Sequence, residues 1–442
     1  MELGRSDFPD DFLLGVSTSA YQIEGHGQGG AGRTHWDDFA ATPGNVVRGE
    51  NGARACDHLN RFGDDLDLVQ GLGADAYRFS ISWARVLPEG RGTPNRRGLD
   101  FYDRLVDAML SRGLKPFATL YHWELPSALA DLGGWRNRDI AGWFADYTEV
   151  VMDRLGDRLH AAAPINEPWC VAWLSHYLGQ HAPGLRDIRG AIRAMHHVGL
   201  AHGRSIAAMR ARGMTNLGAV TNHEAALPMG PSDEAVAAAK LYDGIYNRWF
   251  LGGIYNGVYP SDVLAHFEPY MPQGWQDDMA VINAPVDWAG VNYYTRKLIS
   301  PGPSGHFADL VEGAGDRRRT SMGWEVYPEG LSHMLRRVSG AYARNLPIYV
   351  TENGMSAPDR VRNTKVADPH RIRFLNEHLA VVKAAREAGI DVRGYFIWSL
   401  LDNYEWALGY EKRFGLVHVD FKTLKRTPKA SWHALKAAWG QA

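Results

Sequence analysis

The chain has 442 residues, 45% of them hydrophobic, and it carries 48 lysines and arginines against 50 aspartates and glutamates, a formal net charge of -2. That balance offers no electrostatic surface to nucleic acid and points instead to a neutral small-molecule partner. Two cysteines, Cys56 and Cys170, are too few for a disulfide framework and lack metal-ligand spacing, so both read as buried thiols.

The opening stretch, MELGRSDFPDDFLLG, has no apolar core of the secretory kind, and no later stretch approaches the roughly 20 apolar residues of a membrane span. The expectation is a soluble, cytoplasmic protein with no membrane partner. The surplus of 15 Trp and 19 Tyr serves core packing first, although aromatic faces also stack on sugars and other flat ligands.

In chain order, short runs rich in small, β-branched and aromatic residues occupy 12–20, 74–83, 115–123, 161–168, 217–223, 288–295, 347–352 and 392–400, with helical patterns between them. Between the second and third, GLDFYDRLVDAMLSRG places Phe101, Leu105 and Met109 in one row and Tyr102, Val106 and Leu110 in the next, with Gly113 as a stop. Between the last two, Ile372, Leu375, Leu379 and Val382 share a helix face that ends at Gly389. Alternating strands and helices imply parallel pairing through right-handed crossovers, and eight such units close into a (β/α)8 barrel. An open doubly wound sheet is the alternative, although GVSTSAYQIEG stands where a nucleotide-binding version carries its Gly-rich turn.

Segments 42–52 and 300–323 are rich in Gly, Pro and Ser, and the second carries Arg317, Arg318 and Arg319, a run that reads as a solvated loop. The alternation continues across both, so they read as loops at the barrel mouth and residues 1–442 as a single domain.

Active sites of barrels gather at the C-terminal ends of the strands. There the chain places Gln22 after the first strand and Arg78 on the second; His122 ends the third, Asn166 and Glu167 the fourth. Asn292 and Tyr294 end the sixth and Glu352 the seventh, while Trp398 lies on the eighth, followed by Glu405 and Trp406. Taken singly, a strand-end Glu is usually a surface or capping group and a lone His a core one; joint placement favours chemistry. Two carboxylates across an aromatic mouth suit glycosidic cleavage, which needs a proton for the leaving oxygen and negative charge opposite a cationic sugar centre. The ionised member raises the pKa of its neighbour, and Arg78 directed at Glu352 would keep that residue charged.

The motifs FPDDFLLGVSTSAYQIEG, YRFSISWARVLPEG, TLYHWELP, NEPWC, GQHAPG, GVNYYT, MGWEVYPEGL, YVTENG and WSLLDNYEWALGYEKRFGLVHVDF occur in order along nearly the whole chain. In these the chain resembles the family 1 glycoside hydrolases. The resemblance implies a cofactor-free and metal-free retaining β-glucosidase acting on small β-glycosides or oligosaccharides, with activity extending to β-galactosides or β-fucosides. Glu167 then matches the general acid/base and Glu352 the nucleophile. Gln22, His122, Asn166, Glu405 and Trp406 match residues bonding the inner sugar, Trp398 its stacking floor, and Trp324 a wall of the outer subsite. Asn292 and Tyr294 match neighbours of the nucleophile, the tyrosine bonding to it.

Ala162 and Pro164 depart from the Trp and Thr common in relatives, and a proline in a central strand removes a ladder donor. Relatives specific for phosphorylated sugars carry serine in the Glu405–Trp406 region, and thioglucosidases carry glutamine at the acid position; this chain has neither. Rival readings are transglycosylation, a catalytically silent sugar-binding barrel, and a metal-dependent hydrolase. The adjacent His196 and His197, with no HxH or HExxH pattern, disfavour the last.

Overall fold

In the computed structural model, which describes residues 1–440, the eight expected runs are strands of one parallel sheet. They are β1 (Leu13–Ser17), β2 (Ala76–Ser80), β3 (Lys115–Tyr121), β4 (Ala161–Ile165), β5 (Gly218–Pro228), β6 (Trp288–Pro301), β7 (Ile348–Asn353) and β8 (Val392–Trp398). Neighbours pair in the order β4-β3-β2-β1-β8-β7-β6-β5.

Two isolated parallel bridges, Ala162 to Leu217 and Asn166 to Val220, join β4 to β5 and close the barrel. Their sparseness has a cause in the sequence. The Ala162 N–H reaches Asn216 O at 3.2 Å, and two residues on, at the same edge position, Pro164 has no N–H to give. The seam resumes where the Glu167 N–H meets Val220 O at 3.2 Å.

A helix follows every strand: α1 (His58–Leu72), α2 (Arg96–Ser111), α3 (Ile140–Leu155), α4 (Ile188–Ala211), α5 (Asp233–Asp243), α6 (Pro328–Arg337), α7 (Pro369–Glu387) and α8 (Ala430–Trp439). The ring of helices closes where Trp432 of α8 donates its indole N–H to Leu68 O of α1. Most helices bury one stripe against the outward side chains of the strands, whereas α4 is buried on every side from Ala194 to Gly203. On α2, Phe101, Tyr102, Leu105, Val106 and Met109 are buried, but Leu110 is 43% exposed. At about 100° per residue, the five buried positions span an arc of about 140°, and Leu110 falls about 40° beyond it.

Inward side chains form a second core. Leu13, Ala76, Phe117, Ala161, Ala163, Val220, Trp288, Tyr349 and Phe396, drawn from all eight strands, plug the N-terminal half of the barrel. Phe117 anchors this plug, with ring centroids 4.9 Å from Phe396 and 5.5 Å from Tyr349. Glycine makes room for the rings: a Cβ on Gly218 would stand 2.2 Å from Trp288. Polar side chains therefore point inward only above this floor.

At the mouth, β6 runs past the barrel and pairs antiparallel with a short edge strand, Leu310–Gly313. Segment 300–323 is thus partly a hairpin rather than wholly irregular, because β5 and β6 stay paired beyond the ring, past a register shift between His223 and Ala225, and give the edge strand a template. Arg318 in this segment is paired to Glu377 on α7 at 2.7 Å, so the arginine run is tethered as well as solvated. Among the described residues, no helix is long and apolar enough to cross a membrane.

Candidate active site

Alternation along β6 carries Trp288 in the floor, then Gly290, then Asn292 and Tyr294 up the inner wall. The same step takes β2 from Ala76 to Arg78 and β8 from Phe396 to Trp398. Asn292, Tyr294 and Trp398 meet around a cavity of about 660 Å³ whose lining also includes His122, Glu167, Glu352 and Glu405.

Glu352 is nearly buried and doubly held. Arg78 Nη1 donates to its Oε1 at 2.6 Å, and the Tyr294 hydroxyl to its Oε2 at 2.7 Å. Glu167 faces the same space with weaker partners: Asn292 Nδ2 donates to Oε1 at 2.8 Å and the Cys170 thiol to Oε2 at 3.2 Å. Burial, and after it the charge of Glu352, pushes the Glu167 carboxyl up to about 8. One carboxylate thus has a cationic partner, and the other is poised to hold a proton at neutral pH.

Fixed donors and acceptors propagate from Arg78. Its Nη2 donates to Asn166 Oδ1 at 2.7 Å, and a guanidinium can only donate, so that atom is an acceptor. The Asn166 amide nitrogen must then be the atom 3.2 Å from His122 Nε2. Nε2 therefore accepts, and the ring hydrogen sits on Nδ1, which is buried without a partner among the described residues. Burial, helped by the charge of Arg78, holds the imidazole well below its usual range and hence neutral. His122 is a donor waiting for an acceptor.

Glu405 Oε2 is likewise buried and unpartnered among the described residues. Burial first, then the charges of Glu352 and Glu167, pushes this carboxyl up to about 8. Its loop is anchored from behind: Asp402 accepts from Lys429 at 2.7 Å and from Arg413 at 2.7 Å. The ring of Trp398 lies parallel to His122 at 5.6 Å, and Trp406 lies parallel to Tyr21 at 5.9 Å. Trp324 stands beside Tyr294, with centroids 5.5 Å apart, on the outer side.

Gln22, Arg78 and Asn166 sit one layer behind the cavity lining. Gln22 is buried, with its amide nitrogen donating to Asn403 Oδ1 and Tyr404 O and its Oε1 accepting from Ser19. Three lining residues, Trp123 (φ 85), Glu167 (φ 50) and Trp406 (φ 50), adopt left-handed backbone, a cost of about 1–3 kcal/mol each that clusters at functional sites. Among the described residues, no group of three His, Cys, Asp or Glu side chains could hold a metal ion. His196 is engaged by Tyr259 and Asp278, and His197 by Trp135 O.

Sequence reasoning gave two participants no role in the site. Thr351 donates to Asn292 Oδ1 at 2.7 Å, and Cys170, read only as a buried thiol, contacts Glu167. The available signal for the cysteine was its spacing: three residues after Glu167, at the start of a helical turn, it returns to the same side.

A family model described as "Glycosyl hydrolase family 1" matches residues 4–439. The chain is 44% identical over 435 residues to Beta-glucosidase A of Thermotoga maritima, covering 97% of each. It is 41% identical to the bifunctional beta-D-glucosidase/beta-D-fucosidase of Bifidobacterium breve, covering 96% of each. Among solved structures, the Thermotoga maritima beta-glucosidase in complex with deoxynojirimycin superposes with a TM-score of 0.94 at 43% identity, covering 98% of each chain.

Proposed function

The chain belongs to glycosyl hydrolase family 1, and on that premise we propose how it works as a retaining β-glucosidase, with Glu352 as nucleophile and Glu167 as general acid and base. The observation that carries this reading is the asymmetry of the pair: Glu352 has a guanidinium at 2.6 Å, whereas Glu167 has only an amide and a thiol.

In the first step Glu352 attacks the anomeric carbon as Glu167 protonates the departing oxygen, giving a covalent glycosyl-enzyme. Esterification removes the charge of Glu352, and with it part of what held the proton on Glu167. Glu167 can then take a proton from water, which attacks the same carbon. Two inversions give retention. Arg78 and Tyr294 position the nucleophile, and Asn292 orients the acid.

The inner sugar is held over Trp398. His122 Nδ1–H offers it a donor and Glu405 an acceptor, supported by both atoms being buried without protein partners among the described residues. Gln22, Asn166 and Trp406 complete this pocket, the first two by fixing their neighbours, and Trp324 walls the leaving group. A cavity of about 660 Å³ is larger than one sugar needs and suits β-linked gluco-oligosaccharides. Activity on β-fucosides is supported by the Bifidobacterium breve relative's name. The whole chain acts as one catalytic unit, and its two unpaired buried thiols suit a cytoplasmic setting.

Proton NMR of early hydrolysis tests the reading: β-glucose should appear first and mutarotate later. Initial release of α-glucose would overturn it.

A further inference from the structure

Cys170 carries an inference that rests on the role of Glu167 proposed above. Asn166 Oδ1 is fixed as an acceptor by Arg78, so the atom of Asn292 that stands 3.0 Å from it must be the amide nitrogen. That same nitrogen lies 2.8 Å from Glu167 Oε1, and Thr351 caps the amide oxygen at 2.7 Å, so the amide cannot flip. Oε1 therefore always accepts. The amide is a stronger donor than the thiol, so a proton on Glu167 favours Oε2, the oxygen 3.2 Å from the Cys170 sulfur.

The thiol is itself oriented. Asn222 Nδ2 donates to the sulfur at 3.8 Å, which leaves the S–H free to point at Oε2. Both side chains line the cavity, and Cys170 is 6% exposed. We propose that Cys170 is a positioning residue of the acid/base: its thiol donates to the oxygen that gives up and regains the proton, and so favours proton departure in the first step.

This donor acts beside other charges. Glu352 from β7, Arg78 from β2, Glu405 from the loop after β8, Glu224 from β5, and the hydroxyls of Tyr294 and Tyr246 also face or flank Glu167. Changing the thiol leaves these groups in place, and the contact it removes from Glu167 favours the charged form of that carboxyl.

The test uses Cys170→Ala, Cys170→Val and Cys170→Ser, with the pH dependence of kcat/KM on an alkyl β-glucoside, whose poor leaving group makes the first step limiting. Ala removes the donor, Val removes it while keeping volume, and Ser keeps a donor at the same carbon. The basic limb should move up by about half a pH unit to one unit in both Ala and Val, and Ser should lie between them and the wild type. In Glu167→Gln, assayed on an activated aryl β-glucoside that this variant still turns over, adding Cys170→Ala should then change kcat/KM by less than about twofold, because the thiol acts through the carboxyl. A limb that stays put in all three variants, or moves equally in all three, would overturn the role, as would an undiminished cost of Cys170→Ala in the Glu167→Gln background. Failure of the underlying reading looks different: the basic limb would then survive Glu167→Gln itself.

Discussion

Arg78 and Asn166 are joined by a 2.7 Å hydrogen bond from a guanidinium nitrogen to an amide oxygen, while the other terminal nitrogen of Arg78 holds Glu352. One side chain on β2 thereby fixes the orientation of Asn166, the tautomer of His122 and the direction of the Asn292 amide. Its planar fork holds the two acceptors in fixed, diverging directions, a geometry that the compact ammonium of a lysine does not reproduce.

Arg78→Met should lower stability by about 3–5 kcal/mol at neutral pH, because it strands a buried carboxylate, and should cut kcat/KM by about 10²–10³-fold. Arg78→Lys should recover much of the stability but less of the rate, since one ammonium restores the charge without restoring both directions. Urea unfolding and aryl-glucoside kinetics on the two variants check this; a Lys variant as active as the wild type would contradict the shared-fork account.

Glu167→Gln should separate substrates by leaving group. Activated aryl glucosides need little acid assistance and should still form the intermediate, whereas disaccharides should barely react. Equal loss on both would remove Glu167 from the role. In the wild type, the first step needs Glu167 protonated, and burial together with Glu352 pushes that carboxyl up to about 8. Activity limited by that step should therefore be held through neutrality and fall as pH rises through about 8, and the fall should be absent in the Gln variant.

In the role proposed for it, Glu405 should make discrimination against phosphorylated sugars depend on pH. Its carboxyl, pushed up to about 8, gains charge as pH rises through that value, whereas a sugar 6-phosphate has its second ionisation near 6 and is already dianionic. The preference for an aryl β-glucoside over its 6-phosphate should widen with pH, and titration of Glu167 cancels in the ratio because both substrates need it. Glu405→Ser should flatten this dependence and weaken the neutral substrate by roughly one to two orders of magnitude. A wild-type preference for the phosphorylated substrate would contradict the assignment of the pocket.

Strand alternation and the motifs at strand ends made the barrel and most of the candidate site legible. The residues that were missed belong to a second kind of information. Cys170, Thr351 and the left-handed backbone at Trp123, Glu167 and Trp406 depend on which atoms meet across different strands, and local pattern does not encode that. Leu110 shows the same limit in the fold: a row of three apolar residues four apart drifts around the helix, and only the width of the buried arc decides where it ends. Pro164 was legible as a missing donor, but that closure would survive as two bridges on either side of it was not.

The assignment of Glu352 as nucleophile is the central claim, and Glu352→Ala with added azide tests it most directly. Turnover should vanish with the fold intact, and azide entering the vacated space should attack an activated β-glucoside from below the ring. NMR of the product should show the α-glucosyl azide, formed by one inversion; recovery of the β-azide would mean that the carboxylate removed was not the nucleophile.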